Sequence, residues 1–255
     1  MIISKINNYI KITTLFIMLF LISCGSRKDI VYLQNAQQFE TEVETNTFEP
    51  KFKIDDILSI YISSFDMAAT TPFNLTKGSG EDIQELEYVI DKEGFIDFPV
   101  LGKIKLLGLS TSEAKELFRT KLIEGGYLKD PIVNIRIKNF RVTVLGQVRQ
   151  PGTYNVAGER ITILEAIGLA GDLDIKGRRD NVLVIRDFNG AKTYTRINLT
   201  TKEFIHSPVY YLTQNDVVYI EPNNSVVKTS NLDSRLTIGL SLFSIMLTAI
   251  IAITR

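Results

Sequence analysis

One residue in this chain has the setting for covalent chemistry. Cys24 is its only cysteine, and it follows Leu21-Ile22-Ser23. An apolar residue at −3, a small one at −1 and a thiol at +1 form a lipobox. The small side chain fits a signal-peptidase site, and the thiol carries diacylglycerol. One acyl chain holds a protein to a bilayer only weakly, whereas a bacterial lipoprotein cysteine carries three. The preceding residues suit this use. Lys5 and Lys11 make a positive start, and Ile12 to Ile22 form a short apolar run broken by Thr13 and Thr14. That layout is an export signal rather than a membrane-spanning helix. Gly25-Ser26-Arg27-Lys28 lacks the Asp at +2 that retains lipoproteins in the inner membrane, and it lacks an acidic run that directs some to the cell surface. The expected location is therefore the outer membrane, lipid-anchored through Cys24, with the body in the periplasm.

No other residues assemble into a catalytic pattern. His206 is the single histidine, with no neighbours that suggest a metal site or a Ser-His pair. Asp55-Asp56 are adjacent, and adjacent strand residues face opposite ways, so a turn is expected there rather than a carboxylate pair. Asp91 and Asp97 sit in or beside a turn. Lys77-Gly78-Ser79-Gly80 is too short for a phosphate loop and lacks a following helix. Gly146, Pro151 and Gly152 have the conformations of a turn to supply. These residues imply no enzyme, no metal and no cofactor. Basic and acidic residues balance at 29 each, and loss of Lys5 and Lys11 leaves the remainder slightly acidic. No basic tail or patch invites nucleic acid.

The C-terminus carries a second membrane signal. Leu236 to Ile253 holds no charge and is flanked by Arg235 and Arg255. At about 1.5 Å per residue it is nearly long enough to cross a thin hydrocarbon core. Thr237, Ser241, Ser244 and Thr248 fall in one narrow stripe, while Leu240, Phe243, Leu247 and Ile250 occupy the opposite face. Such a stripe serves close helix packing, and it equally serves to line a water-filled pore.

Between these two devices the pattern is α+β. Residues 24–50 read as a polar, lipidated tether, with Tyr32-Leu33-Gln34-Asn35 as a small apolar island able to dock on the body. A first unit, 51–139, begins with a strand at Ile57 to Ile62. Residues 66 to 86 read as a loop. Tyr88 to Ile90 and Phe95 to Phe98 read as a hairpin about Asp91–Gly94. A helix from Thr111 to Glu124 follows, capped near Ser110 and stopped by Gly125-Gly126, and Pro131 opens a strand at Ile132 to Ile137. A second unit, 140–222, has a strand from Val142 to Val148 and a turn at Pro151-Gly152. Thr162 caps a helix, Ile163 to Leu169. A hairpin about Asn189-Gly190 and a last strand, Asp216 to Ile220, complete it. Residues 223–235 form a linker to the apolar segment 236–253.

Two stretches resemble a known family. Tyr88 to Gly102, with Gly108-Leu109-Ser110 before the helix, resembles the polysaccharide export domain. Val144-Leu145-Gly146-Gln147-Val148-Arg149-Gln150-Pro151-Gly152-Thr153-Tyr154, with Ile161 to Ile167 and Ala170-Gly171-Asp172, resembles the soluble-ligand-binding β-grasp domain. In that order, with lipobox and terminal helix, they are similar to the outer-membrane polysaccharide export lipoproteins. The resemblance implies a homo-oligomeric ring that works as a translocon for capsular or extracellular polysaccharide. It also implies an inner-membrane co-polymerase or chain-length partner. Only one β-grasp unit follows the export domain here, where longer members have two. A periplasmic glycan-binding lipoprotein that forms no pore is the competing expectation.

Overall fold

The computed structural model describes residues 30–36, 48–78, 84–188 and 190–223, with helical positions 238–239, 241–242, 244–246 and 248–249. The first body runs β1 (Ile57–Ser63), α1 (Met67–Thr70), β2 (Thr76–Lys77), β3 (Gln84–Glu85), β4 (Glu87–Val89), β5 (Phe95–Phe98), β6 (Gly102–Lys105), α2 (Thr111–Glu124) and β7 (Ile132–Ile137). In β1, Leu58, Ile60 and Ile62 point inward and alternate with Ser59 and Tyr61. That period of two makes β1 the centre of an antiparallel sheet ordered β4-β1-β7. Helix α2 covers its inner face through Ala114, Phe118 and Leu122, and Phe118 meets Phe98 edge-on at 4.9 Å. Ser110 caps the helix: its hydroxyl accepts from Glu113 N, while the Glu113 carboxylate accepts from Ser110 N.

Two local expectations are corrected. Residues 66 to 86 are not simply a loop. Asp66 accepts from the Ala68 and Ala69 amides and starts α1, a 3₁₀ turn with Pro72 follows, and β2 pairs with β3. The Tyr88–Phe98 hairpin also does not form as a ladder. β4 pairs with β1, and β5 pairs instead with β6. The Asp91–Gly94 turn exists, since Asp91 Oδ1 accepts from Phe95 N at 2.7 Å. It redirects the chain between two sheets because Tyr88 is drawn into the register of β1.

The second body contains β8 (Arg141–Gly146), β9 (Gly152–Asn155), β10 (Ile161–Thr162), α3 (Ile163–Leu169), β11 (Gly177–Phe188), β12 (Ala191–Ile197), β13 (Tyr211–Leu212) and β14 (Val217–Pro222). Its five-stranded sheet is ordered β12-β11-β14-β8-β9. The β14–β8 pair is parallel and the others are antiparallel, so the sheet is mixed. Ile163, Ala166 and Ile167 of α3 join Val142, Val144, Val182, Val184, Val218 and Ile220 in one core. Thr162 caps α3 with Glu165, the same reciprocal pattern as in α2. Gly146 ends β8 at φ +91, and a Cβ there would lie 2.0 Å from Ile220 O. Only glycine allows this approach of the two parallel strands.

The N-terminal island docks where a separate body would not predict it. Leu33 N and Gln34 N donate to Leu199 O and Thr200 O at 3.1 and 2.7 Å. Asn35 exchanges bonds with Lys202 N and Glu203, and Tyr32 donates to Asp172 Oδ1 at 2.6 Å. Residues 30–36 are therefore a strap across the second body, laid down before the chain crosses to the first.

Candidate functional site

The residues that could have done acid–base or metal chemistry do structural work. Asp55 turns the chain at φ +66 and is exposed, whereas Asp56 is 1% exposed. The pair diverges, as the turn reading requires. Asp56 Oδ2 accepts from Lys53 N at 2.8 Å, and its Oδ1 is buried with no partner. Burial pushes its carboxyl up to about 6, only partly opposed by that amide and the Lys53 ammonium. Asp97 is exposed on the outer side of β5. His206 ends a 3₁₀ turn on the surface. Among the described residues, no group of three His, Cys, Asp or Glu side chains could hold a metal ion.

The junction between the two bodies holds a polar network that spacing along the chain does not reveal. Lys53 Nζ reaches across to Thr213 Oγ1 and Gln214 O, both at 2.9 Å. Its ammonium is held below the usual lysine range, chiefly by burial. Asn139, at the crossing point, accepts from Ile57 N and donates to Asp55 O, which ties it to the first body. Gln214 donates to Asn139 O at 2.6 Å and accepts from Arg141 N at 2.7 Å, which ties it to the second. Beneath Gln214, the buried Asp216 carboxylate takes a forked contact from Arg186 and accepts from Thr213 N and Oγ1. Two donors cross the boundary, the Lys53 ammonium to Thr213 Oγ1 and Gln214 O and the Gln214 amide to Asn139 O, and the lysine bonds are charge-assisted, so together they clamp the two bodies. The run Thr213-Gln214-Asn215-Asp216 before a strand signals a turn, but nothing in it names Lys53 as partner.

Beside the clamp lies a cleft of about 380 Å³, bounded by Arg136 and Lys138 of the first body and by Val156, Gly158 and Glu159 of the second. Clefts at domain boundaries are the usual place for ligands.

The residues expected at the two membrane devices are placed unevenly. Cys24 and Thr237 lie outside the described residues. Ser241, Ser244 and Thr248 occupy exposed helical positions, and Thr248 Oγ1 donates to Ser244 O and Ile245 O at 3.0 and 2.8 Å. A hydroxyl turned onto its own helix backbone is satisfied in lipid and in water alike, so it decides neither packing nor pore. Among the described residues, no helix is long and apolar enough to cross a membrane, and half of the expected span 236–253 lies outside them.

Comparison with known proteins agrees with this two-part architecture. Residues 45–138 match the family described as polysaccharide biosynthesis/export protein, and residues 141–196 match the SLBB domain. The chain is similar to the EPS I polysaccharide export outer membrane protein EpsA of Ralstonia solanacearum, 26% identical over 182 residues, which is 66% of this chain and 46% of that protein. It is also similar to EpsA of Ralstonia nicotianae, 31% identical over 90 residues, covering 34% of this chain and 23% of the relative. The exopolysaccharide production protein ExoF of Rhizobium meliloti is 30% identical over 89 residues, 34% of this chain and 21% of ExoF. The chain thus spans about half or less of the length of these curated relatives. The two matched domains follow one another in the order of the two clamped bodies, and the chain belongs to the polysaccharide export family.

Proposed function

We propose that this chain is an outer-membrane lipoprotein, held by an acylated Cys24, that assembles into a ring and exports a capsular or extracellular polysaccharide from the periplasm. The observation that carries the reading is the export domain followed by an SLBB domain in one clamped body, in a chain whose relatives are named for polysaccharide export. The protein works by passage rather than catalysis.

Assembly follows from size. Two small α+β bodies with one terminal apolar segment cannot enclose a channel alone. A closed ring of identical copies can. The surface supports it. Leu183, Ile185, Val217 and Tyr219 share the outer face of the five-stranded sheet with Leu145 and Tyr194, which are 41% and 65% exposed. An open apolar face of this kind favours cover by a second copy. In the ring, segment 236–253 anchors each copy, and its stripe of Thr237, Ser241, Ser244 and Thr248 lines the shared opening. The periplasmic side meets an inner-membrane co-polymerase or chain-length protein.

Deletion of the gene tests the export role. Surface polysaccharide should be lost and should return with the intact chain, and unchanged surface polysaccharide in the deletion strain sinks the reading. Electron micrographs of detergent-extracted protein test the ring. Uniform annular particles are expected, and monodisperse single copies would overturn it.

A further inference from the structure

Three grooves in the first body and at its boundary join end to end. The first, about 250 Å³, is lined by Tyr61, Asn74 and Glu85. The second, about 310 Å³, shares Glu85 and adds Ser59, Glu87 and Lys138. The third is the boundary cleft, which shares Lys138 and adds Arg136, Thr111 and Glu159. Register explains the alignment. Ser59 is opposite Glu87 on one side and Arg136 on the other, and Tyr61 is opposite Asn134. Paired residues project to the same side of a sheet, so these side chains form one outer face, opposite the face that α2 covers. Lys138 continues it two residues beyond Arg136, held by its amide bond to Ile57 O. Among the described residues, β7 is an outer strand of its sheet.

The chemistry of this trough is selective. Arg136 and Lys138 are exposed, and among the described residues neither makes an ion pair. At strand spacing, the planar amide of Asn134 and the carboxylates of Glu87 and of Glu85, which already accepts from Ser59 Oγ at 2.9 Å, suit sugar hydroxyls, while the Arg136–Lys138 end suits acidic substituents. The half-open ring of Tyr61 offers a flat apolar surface at one end. Flat rings stack on the C–H faces of sugars, planar polar groups bond sugar hydroxyls in pairs, and free guanidinium and ammonium groups meet acidic substituents. A run of shallow grooves that share lining residues suits an extended polymer better than a compact molecule.

We propose that this trough binds an extended segment of an anionic polysaccharide, with Tyr61 stacking on a sugar ring and Arg136 and Lys138 meeting carboxylate or other acidic substituents. The proposal rests on the export reading and adds where the polymer touches the protein. The test uses the full chain in detergent and oligosaccharides cut from the polysaccharide of the cell that carries the gene, with binding followed by calorimetry. Arg136→Ala with Lys138→Ala should weaken binding at least tenfold, and Tyr61→Ala at least threefold. The dissociation constant should rise with added salt, and Lys192→Ala, on β12 of the other body, should leave it unchanged. Equal affinity in the double variant, equal affinity for neutral dextran, or no binding by the unaltered chain each overturns the proposal. So does capture of a peptide of residues 37–47 in place of the oligosaccharide. Complementation separates the two claims. If the unaltered gene does not restore surface polysaccharide to a deletion strain, the export reading fails. If the double variant restores it and binds oligosaccharide normally, the trough alone fails.

Discussion

Asp56 is the residue whose environment most clearly departs from that of an ordinary surface carboxylate. It is buried, one oxygen has no partner, and its carboxyl is raised from 3.8 to about 6. A raised carboxyl means the folded state holds the proton more tightly than the unfolded chain does. Its stabilising contribution is complete below about pH 4 and is lost as pH rises through about 6. Between strongly acidic pH and pH 7.5 this shift removes about 3 kcal/mol of folding stability. Asp56→Asn keeps an acceptor for Lys53 N and cannot ionise. Melting temperature measured at pH 4.5 and 7.5 should fall more steeply for the native chain than for the variant. Parallel profiles would show that Asp56 does not titrate in this window. Asp216 is the opposite case: its carboxylate is fully matched by Arg186 and Thr213. Removing it in Asp216→Ala leaves a half-buried guanidinium unmatched and should cost about 3–5 kcal/mol in denaturant unfolding.

At the scale of elements, Gly146 separates backbone necessity from turn preference. Gly146→Ala forces a methyl into Ile220 O at a positive φ, which should cost about 2–4 kcal/mol and loosen the parallel β8–β14 pair. Ser110→Ala removes only a cap and should cost about 1 kcal/mol. Chemical denaturation of both variants checks the order, and equal losses would argue against the close approach at Gly146. Elements of this kind were legible in sequence because their causes are local. Ser110 with Glu113, Thr162 with Glu165, and the alternation of Ile57 to Ile62 all act within a few residues. The Tyr88–Phe98 hairpin misled because a short strand takes its partner from the sheet, and β1 competes better for β4 than β5 does. Residues 66–86 misled because Asp66 and Pro72 order a segment whose composition suggests only a loop.

At the scale of the whole molecule, the clamp was invisible from sequence because Lys53 and Gln214 lie 161 positions apart. No short-range pattern encodes such a pair. The clamp ties the two bodies together through Lys53 and Gln214, so the proposed ring should lose its order when the clamp loosens. In-cell cross-linking of the native chain should give a ladder ending in one large species, and Lys53→Ala should shorten that ladder without removing the protein. A native ladder that stops at dimer argues against a ring. For the terminal segment, cysteines placed at Ser241, Ser244 and Thr248 should react with a water-soluble thiol reagent, while cysteines at Phe243 and Leu247 should not. Equal inertness on both faces would leave the segment as an anchor only.

The strap over the second body sets a leash length. Tyr32 is fixed against Asp172, and the far end of the body leaves at Asn223, whose amide donates to Lys176 O in the same loop. Both outgoing ends therefore emerge beside residues 172–176 of the β-grasp side. From Cys24 to Ile30 a fully stretched chain reaches roughly 20 Å. With Cys24 acylated, that loop can hang little farther than this from the lipid surface. Cys24→Ser should abolish acyl labelling and release the leash. A spin label at Ile175, exposed on that loop, should then lose part of its broadening by lipid-borne paramagnets, the longer linker 223–235 to segment 236–253 being the tether that remains. Under the proposed acylation, tethering thus gives the molecule a direction, with the loop of residues 172–176 on the side nearest the lipid.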